Sequence, residues 1–261
     1  MTIVALFALC ASAFAQSADE IMKTSTNLPV PSFSKAVLII ELVDKNGSVT
    51  EHRVVNEYGN KKGDLKNVVF DLRTPASVKD TRILQAEKVG KSDDKWIYLP
   101  SLKTTRRIAA AERQKSWVGT DFTYNDMTIR KYEDDSYEML DENDSEKANN
   151  GKTYACWKIK STPVQNKNVE YAYRVQHIDK GSYLPILVEY FDKSDTLIKT
   201  YRINTFEQVK GATGTTYWLR RFATMKNEKT GHASTVLVEK VEFDSPVPDK
   251  LFTQNWLNTG K

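Results

Sequence analysis

The sequence is poor in the residues that usually hold a disulfide or a metal. Its 261 residues include two cysteines, Cys10 and Cys156, and three histidines, His52, His177 and His232. Cys10 lies in an apolar N-terminal run, so a processed chain keeps Cys156 alone, which excludes an internal disulfide and a thiolate metal site. No histidine has a partner at metal-ligand spacing, and no metal or other cofactor is expected. Also missing are a Gly-x-Ser-x-Gly elbow, a phosphate-cradling glycine loop and a dinucleotide fingerprint. These absences argue against an enzyme. Charge of one sign is lacking as well. The 38 Lys and Arg oppose 34 Asp and Glu, for a net charge of +4, without the concentrated basic excess of a nucleic-acid binder. Beyond the N-terminus no apolar run is long enough to span a bilayer.

The N-terminus itself is apolar. Residues 1–15 carry no charged side chain and end in Ala13-Phe14-Ala15, the small-x-small pattern of a signal-peptide cleavage site. The expected cut falls before Gln16. A signal peptide over residues 1–15, one domain over residues 16–261 and a periplasmic location follow. Acylation at Cys10 is the alternative, disfavoured because Leu9 stands where that processing needs a small residue.

What the chain has in quantity is period-two alternation. Val68, Phe70 and Leu72 alternate with Val69, Asp71 and Arg73, and Val169, Tyr171, Tyr173 and Val175 alternate with Glu170, Ala172, Arg174 and Gln176. Similar segments recur at 36–43, 50–58, 80–89, 94–99, 153–160, 184–191, 196–205, 215–224 and 233–242, rich in strand-favouring residues. Short polar turns such as Asp44-Lys45-Asn46-Gly47 separate them, as in an antiparallel meander. About eleven strands are expected, too many for a flat sheet, so the sheet should curl into a barrel. Helix is scarce. Ser17 to Thr26 reads as a capped helix, with Glu20 three residues after the Ser17 cap. A stretch from about Ala109 to Met127 interrupts the strands as helix or irregular chain. The acidic segment Asp141 to Gly151 reads as a mobile loop.

The distinctive region is 96–127. The strand Trp96-Ile97-Tyr98-Leu99-Pro100 leads into Arg106-Arg107-Ile108, and after the interruption comes Trp117-Val118-Gly119-Thr120-Asp121-Phe122-Thr123-Tyr124-Asn125-Asp126. The aromatics of the interruption suggest a flap over an apolar interior. Lys103, Arg106, Arg107, Arg113 and Lys115 beside it suit either an anionic head group or a solvated sheet edge. Asp121 and Asp126 could serve as partners for Arg106 or Arg107.

These residues resemble the signature of the outer-membrane lipoprotein-sorting protein family, the LolA/LolB-like periplasmic carriers. The closing Val247-Pro248-Asp249-Lys250-Leu251-Phe252 extends the resemblance over nearly all of residues 16–261. Thr120 stands where a serine is expected, and Trp117 where a smaller apolar residue or Phe is usual. The resemblance implies a mainly β fold: a single unclosed antiparallel β-barrel with a few short helices forming a lid over an apolar cavity. It implies a carrier that binds acyl chains of a lipid or lipoprotein, touches membranes transiently and has no catalytic residue. An inner-membrane exporter and an outer-membrane acceptor are its implied partners. The implied cavity wall and lid comprise Trp96, Tyr98, Leu99, Trp117, Phe122, Tyr124, Tyr171 and Tyr173, with Arg106, Arg107 and Asp121 at the head group or anchoring the lid. A sensor or protein-interaction module built on the same fold is the alternative.

Overall fold

The structure, a computed structural model, describes residues 16–128, 130–148, 151–164 and 169–261. The expected signal peptide lies outside the described residues. The chain opens with helix α1, Ala18–Thr26, closed at its start by the capping box: Ser17 N–H donates to Glu20 Oε2 at 2.9 Å and Glu20 N–H to Ser17 Oγ at 3.3 Å. Six strands follow: β1 Phe33–Val43, β2 Val49–Lys62, β3 Leu65–Thr74, β4 Arg82–Lys88, β5 Lys91–Leu99 and β6 Thr104–Arg107. Seven more come after a long connection: β7 Asp135–Lys147, β8 Thr153–Pro163, β9 Tyr173–Asp179, β10 Pro185–Phe191, β11 Leu197–Lys210, β12 Thr216–Asn227 and β13 Ala233–Phe243. Helix α2, Gln254–Thr259, ends the chain.

Among the described residues, thirteen strands form one antiparallel sheet in the order β6-β5-β4-β3-β2-β1-β13-β12-β11-β10-β9-β8-β7. Each half of the chain is a meander. The halves meet at the centre, where β1 pairs with β13 from Ser34↔Phe243 to Val43↔Ala233. The edges β6 and β7 are not paired with each other, so the barrel stays open. Between them in the chain, residues 108–128 and 130–134 form a strap that crosses the concave face.

Cross-strand register sorts the side chains, since paired residues share a face. Leu38 and Ile40 of β1 lie beside Val55 of β2, then Phe70 and Leu72 of β3, Ile83 of β4 and Ile97 of β5. These pack with Ile108 and with Trp117 and Tyr124 of the strap as the main core. On the convex face Val69 and Leu84 pack with Trp256 and Leu257, so α2 covers the outside of the first half. Helix α1 does the converse: Ala18, Ile21 and Met22 pack with Ile159 and Ile178 of the second half.

The unclosed antiparallel barrel is thus present, with thirteen strands rather than about eleven. The additional strands are β6 and β7, and β7 takes in Asp141 to Lys147, which reads from sequence as part of a mobile loop. Its alternation is polar because its partners are polar. Asp144 Oδ2 lies 2.6 Å from His177 Nδ1 and Glu146 Oε2 accepts from Arg202 Nη1 at 3.0 Å. An edge strand of this charge also resists pairing with another chain. The region 109–127 contains one short 3-10 turn, Ala110–Glu112, and a small hairpin closed by the bridge Ser116↔Thr123. The interior is therefore covered mostly by irregular chain, with α1 at one side. No helix among the described residues is long and apolar enough to cross a membrane.

Candidate functional site

The strap tip turns tightly. Val118 and Gly119 both take positive φ, +50° and +80°, the left-handed region that glycine tolerates and a β-branched residue does not enter freely. Trp117 N–H donates to Phe122 O at 2.7 Å, which closes the turn. Arg53 of β2 holds the strained residue by donating from Nη1 to Val118 O at 2.5 Å. Across the seam, Asp121 accepts from Ser234 Oγ at 2.7 Å and lies 2.7 Å from His232 Nδ1. Farther along, Lys199 Nζ donates to Asp126 Oδ2 at 2.6 Å and to Glu170 Oε1 at 2.7 Å. Burial pushes the Asp126 carboxyl up despite the attraction of Lys199, and the two carboxylates in turn raise the Lys199 ammonium against its own burial. The strap is thus tied to β2, β13 and β11 by polar contacts in a low-dielectric setting.

Between strap and concave face lies a cavity of about 1300 Å³. It exceeds the roughly 300–1,000 Å³ usual for small-molecule pockets. Its wall includes Leu38, Ile40, Phe70, Val188, Val236 and Val238 from both halves of the sheet, roofed by Trp117 and Phe122. Trp117 meets Phe70 edge-on at 5.2 Å between ring centroids, and Phe122 meets Tyr201 at 6.2 Å. Charged side chains also line it. Asp135 accepts from Arg130 Nε at 2.8 Å and from Arg174 Nη2 at 2.6 Å, and Asp93 accepts from Arg113 Nη1 at 3.1 Å and from Lys95 Nζ at 2.9 Å. Lys66, Lys88, Lys91 and Lys131 add a basic rim. Burial, together with nearby Lys61 and Lys131, holds the Lys66 ammonium below its usual value despite Glu87.

The candidate residues from sequence divide between the two faces. Trp117, Phe122 and Tyr171 line the cavity, while Leu99 and Tyr124 pack in the adjoining core. Trp96 and Tyr98 do not face inward. They pack with Val69, Leu84 and Trp256 on the convex side, and it is their neighbours Ile97 and Leu99 that point to the core. Tyr173 is also outside, stacked on Phe191 at 4.9 Å, because β9 starts at Tyr173 and the alternation does not carry back through residue 172 to Tyr171. Arg106 and Arg107 sit on edge strand β6, paired with Glu112 and Asp94, and do not line the cavity. The cations that do are Arg113, Arg130, Arg174 and Arg220 with the rim lysines. The basic run from Lys103 to Lys115 hinted at Arg113 alone. Asp121 and Asp126 find partners in His232, Ser234 and Lys199 rather than in Arg106 or Arg107. Glu57, a carboxyl on the concave face, gave no signal beyond its place in the alternation. Cys156 is fully buried, and burial pushes its thiol up to about 12, so it is inert packing. Asp144, Glu146 and His177 are close enough to hold a cation. The imidazole, however, already has a carboxylate on each ring nitrogen, Asp144 on Nδ1 and Glu189 on Nε2 at 3.2 Å, the arrangement of an imidazolium.

A family model described as "Uncharacterized protein" matches residues 64–259. No curated protein matches the chain. Among solved structures, the chain is similar to a domain named for outer membrane lipoprotein sorting from Vibrio parahaemolyticus, with 24% identity, TM-score 0.79, and 92% of this chain and 98% of that one covered. A DUF1329 family protein from Desulfovibrio piger gives 20% identity and TM-score 0.80, covering 92% of this chain and 97% of its own. A LolA superfamily protein from Nitrosomonas europaea gives 19% identity and TM-score 0.62 over 93% and 100% of the two chains. At these identities the likeness is one of fold.

Proposed function

The chain belongs to the family whose model spans residues 64–259, and from that family and the LolA-type fold we propose that it is a periplasmic carrier for the acyl chains of a lipid or lipoprotein, without catalysis of its own. The observation that carries this reading is the cavity of about 1300 Å³ beneath the strap, to whose wall both halves of the sheet contribute apolar residues beside the charged ones. Each buried methylene is worth about 0.8 kcal/mol, so one long acyl chain supplies on the order of 10 kcal/mol. Trp117, Phe122 and Tyr171 belong to the wall and cover, backed by Leu99 and Tyr124 in the adjoining core. The basic rim of Lys66, Lys88, Lys91 and Lys131 suits an anionic head group or membrane surface.

Carriage also requires release. The cover is held by hydrogen bonds and ion pairs as well as by the packing of Trp117 and Tyr124, and release means loosening both. Residues 1–15 act in this reading as the export signal. An inner-membrane exporter as donor and an outer-membrane acceptor complete the route, each meeting the carrier transiently. The test is native mass spectrometry and lipid extraction of the processed chain purified from a bacterial envelope. Near-stoichiometric phospholipid, glycolipid or acylated peptide is expected. A clean apo mass that persists after incubation with envelope lipids and acylated peptides would refute the carrier and favour a protein-interaction module.

A further inference from the structure

Six carboxylates line the cavity: Glu57, Glu87, Asp93, Asp126, Asp134 and Asp135. Five are committed within the protein. Glu87 accepts the Lys66 N–H at 2.9 Å, and Asp134 accepts the Lys131 N–H at 2.8 Å. Asp93 is taken by Lys95 and Arg113, Asp126 by Lys199, and Asp135 by Arg130 and Arg174. Glu57 alone makes no hydrogen bond or ion pair among the described residues.

Its position is unusual for a carboxyl. Glu57 stands on the concave face between Val55, which is fully buried, and Gly59, opposite Ala36 of β1 and Phe70 of β3. Burial alone pushes it up to about 7, and no cation pulls it back. Glu57 is only half-buried and lines the cavity, so its carboxyl oxygens are open to a guest bound there rather than sealed within the protein. The nearest basic rim residue on the neighbouring strand is Lys66, four positions from Phe70, roughly 13 Å along β3. An anionic head at the rim would therefore leave Glu57 beside the buried part of the ligand. A phosphate at that depth would be repelled, and a bare methylene would leave the carboxyl unsatisfied. Both the carboxylate and the carboxylic acid can accept from an N–H or O–H donor.

We infer that Glu57 is an acceptor site within the cavity for an amphiphile that carries an N–H or O–H donor in its buried portion, such as an amide-linked acyl chain, in preference to one joined by esters alone. This rests on the carrier reading above. The experiment compares N-propyl dodecanamide with propyl dodecanoate, which differ by an N–H in place of an oxygen. Each competes with an environment-sensitive fluorescent fatty acid bound to the wild type, to Glu57→Gln and to Glu57→Leu, with a thermal melt of each variant to verify folding. The wild type is expected to prefer the amide by about tenfold, the worth of one good hydrogen bond. Glu57→Gln, whose amide oxygen still accepts, should keep the preference, and Glu57→Leu should reverse it in favour of the ester. Equal affinities in the wild type, or an amide preference that survives in Glu57→Leu, would overturn the assignment while leaving the carrier intact. Displacement by neither compound would overturn both.

Discussion

Two titratable side chains, Glu57 and His177, make the folded state respond to pH in the same direction. Glu57 has its carboxyl raised from 4.5 to about 7. Between those values the folded protein keeps a proton that the unfolded chain has released, so stability falls as pH rises through that window. The penalty reaches up to about 3 kcal/mol above pH 7 at about 1.4 kcal/mol per pKa unit. Glu57→Leu should therefore raise the stability of the empty protein at pH 8 and change it little at pH 4.5, as read by urea unfolding. His177 works through the opposite chemistry. Burial alone would depress it, but its hydrogen bonds to Glu189 and Asp144 raise it above its ordinary value. Its contribution is fully present below about pH 6.5 and is lost as pH climbs through the raised value. His177→Gln, which strands the surrounding carboxylates, should cost on the order of 3 kcal/mol at pH 5.5. A smaller cost is expected at pH 9, and a cost that does not change with pH would exclude the imidazolium.

Among the elements, the strap has the most to reveal. Its tie to β11 depends on Lys199 between Asp126 and Glu170. Asp126→Asn removes one charge from that tie and leaves the sheet ladder untouched. Stopped-flow displacement of a bound fluorescent fatty acid should show dissociation faster by about fivefold or more, an effect of about 1 kcal/mol. An unchanged rate, with far-UV circular dichroism also unchanged, would mean that ligand leaves without lifting this end of the strap. The elements were unequally legible from sequence. Strands such as β3 and β10 announce themselves because they alternate or run apolar where they face the core. The strand β7 does not, since after Tyr137 and Met139 its residues 141–147 are all polar or charged. The face assignment followed the same logic. Val55 and Phe70 could be placed by alternation, but parity cannot say which face is concave, and the aromatic convex residues Trp96 and Tyr98 lie under α2, an element remote in sequence. The site's ion pairs and hydrogen bonds join positions as distant as Asp126 and Lys199, or Asp121 and Ser234, a distance that no local pattern encodes.

At the level of the whole molecule, two meanders of local hairpins are joined by one covalent strap and one central seam. The seam pairs β1 with β13 over ten positions, with Leu38, Ile40 and Val238 buried along it. A protease site engineered at Gln114 should therefore nick the strap without dissociating the halves. Size-exclusion chromatography should show the two fragments co-eluting, while ligand retention, which the proposed carrier role assigns in part to Trp117 and Phe122, should fall. Separate elution of the fragments would show that the strap supplies the cohesion between them.

The ends of the chain reinforce that seam as exchanged arms. The N-terminal half sends α1 across to β7, β8 and β9, and the C-terminal half sends Leu251 to Leu257 back across to β3, β4 and β5. Arg82 completes the second clasp by donating to Leu257 O at 2.9 Å and lying over the ring of Trp256 at 5.6 Å. The two arms grip opposite faces and opposite wings of the sheet, so a force that spreads the wings must peel both at once. The molecule is in this sense a clamp whose hinge is its own midline. In a carrier, the handshake of the two ends would set how far the wings can open for a guest.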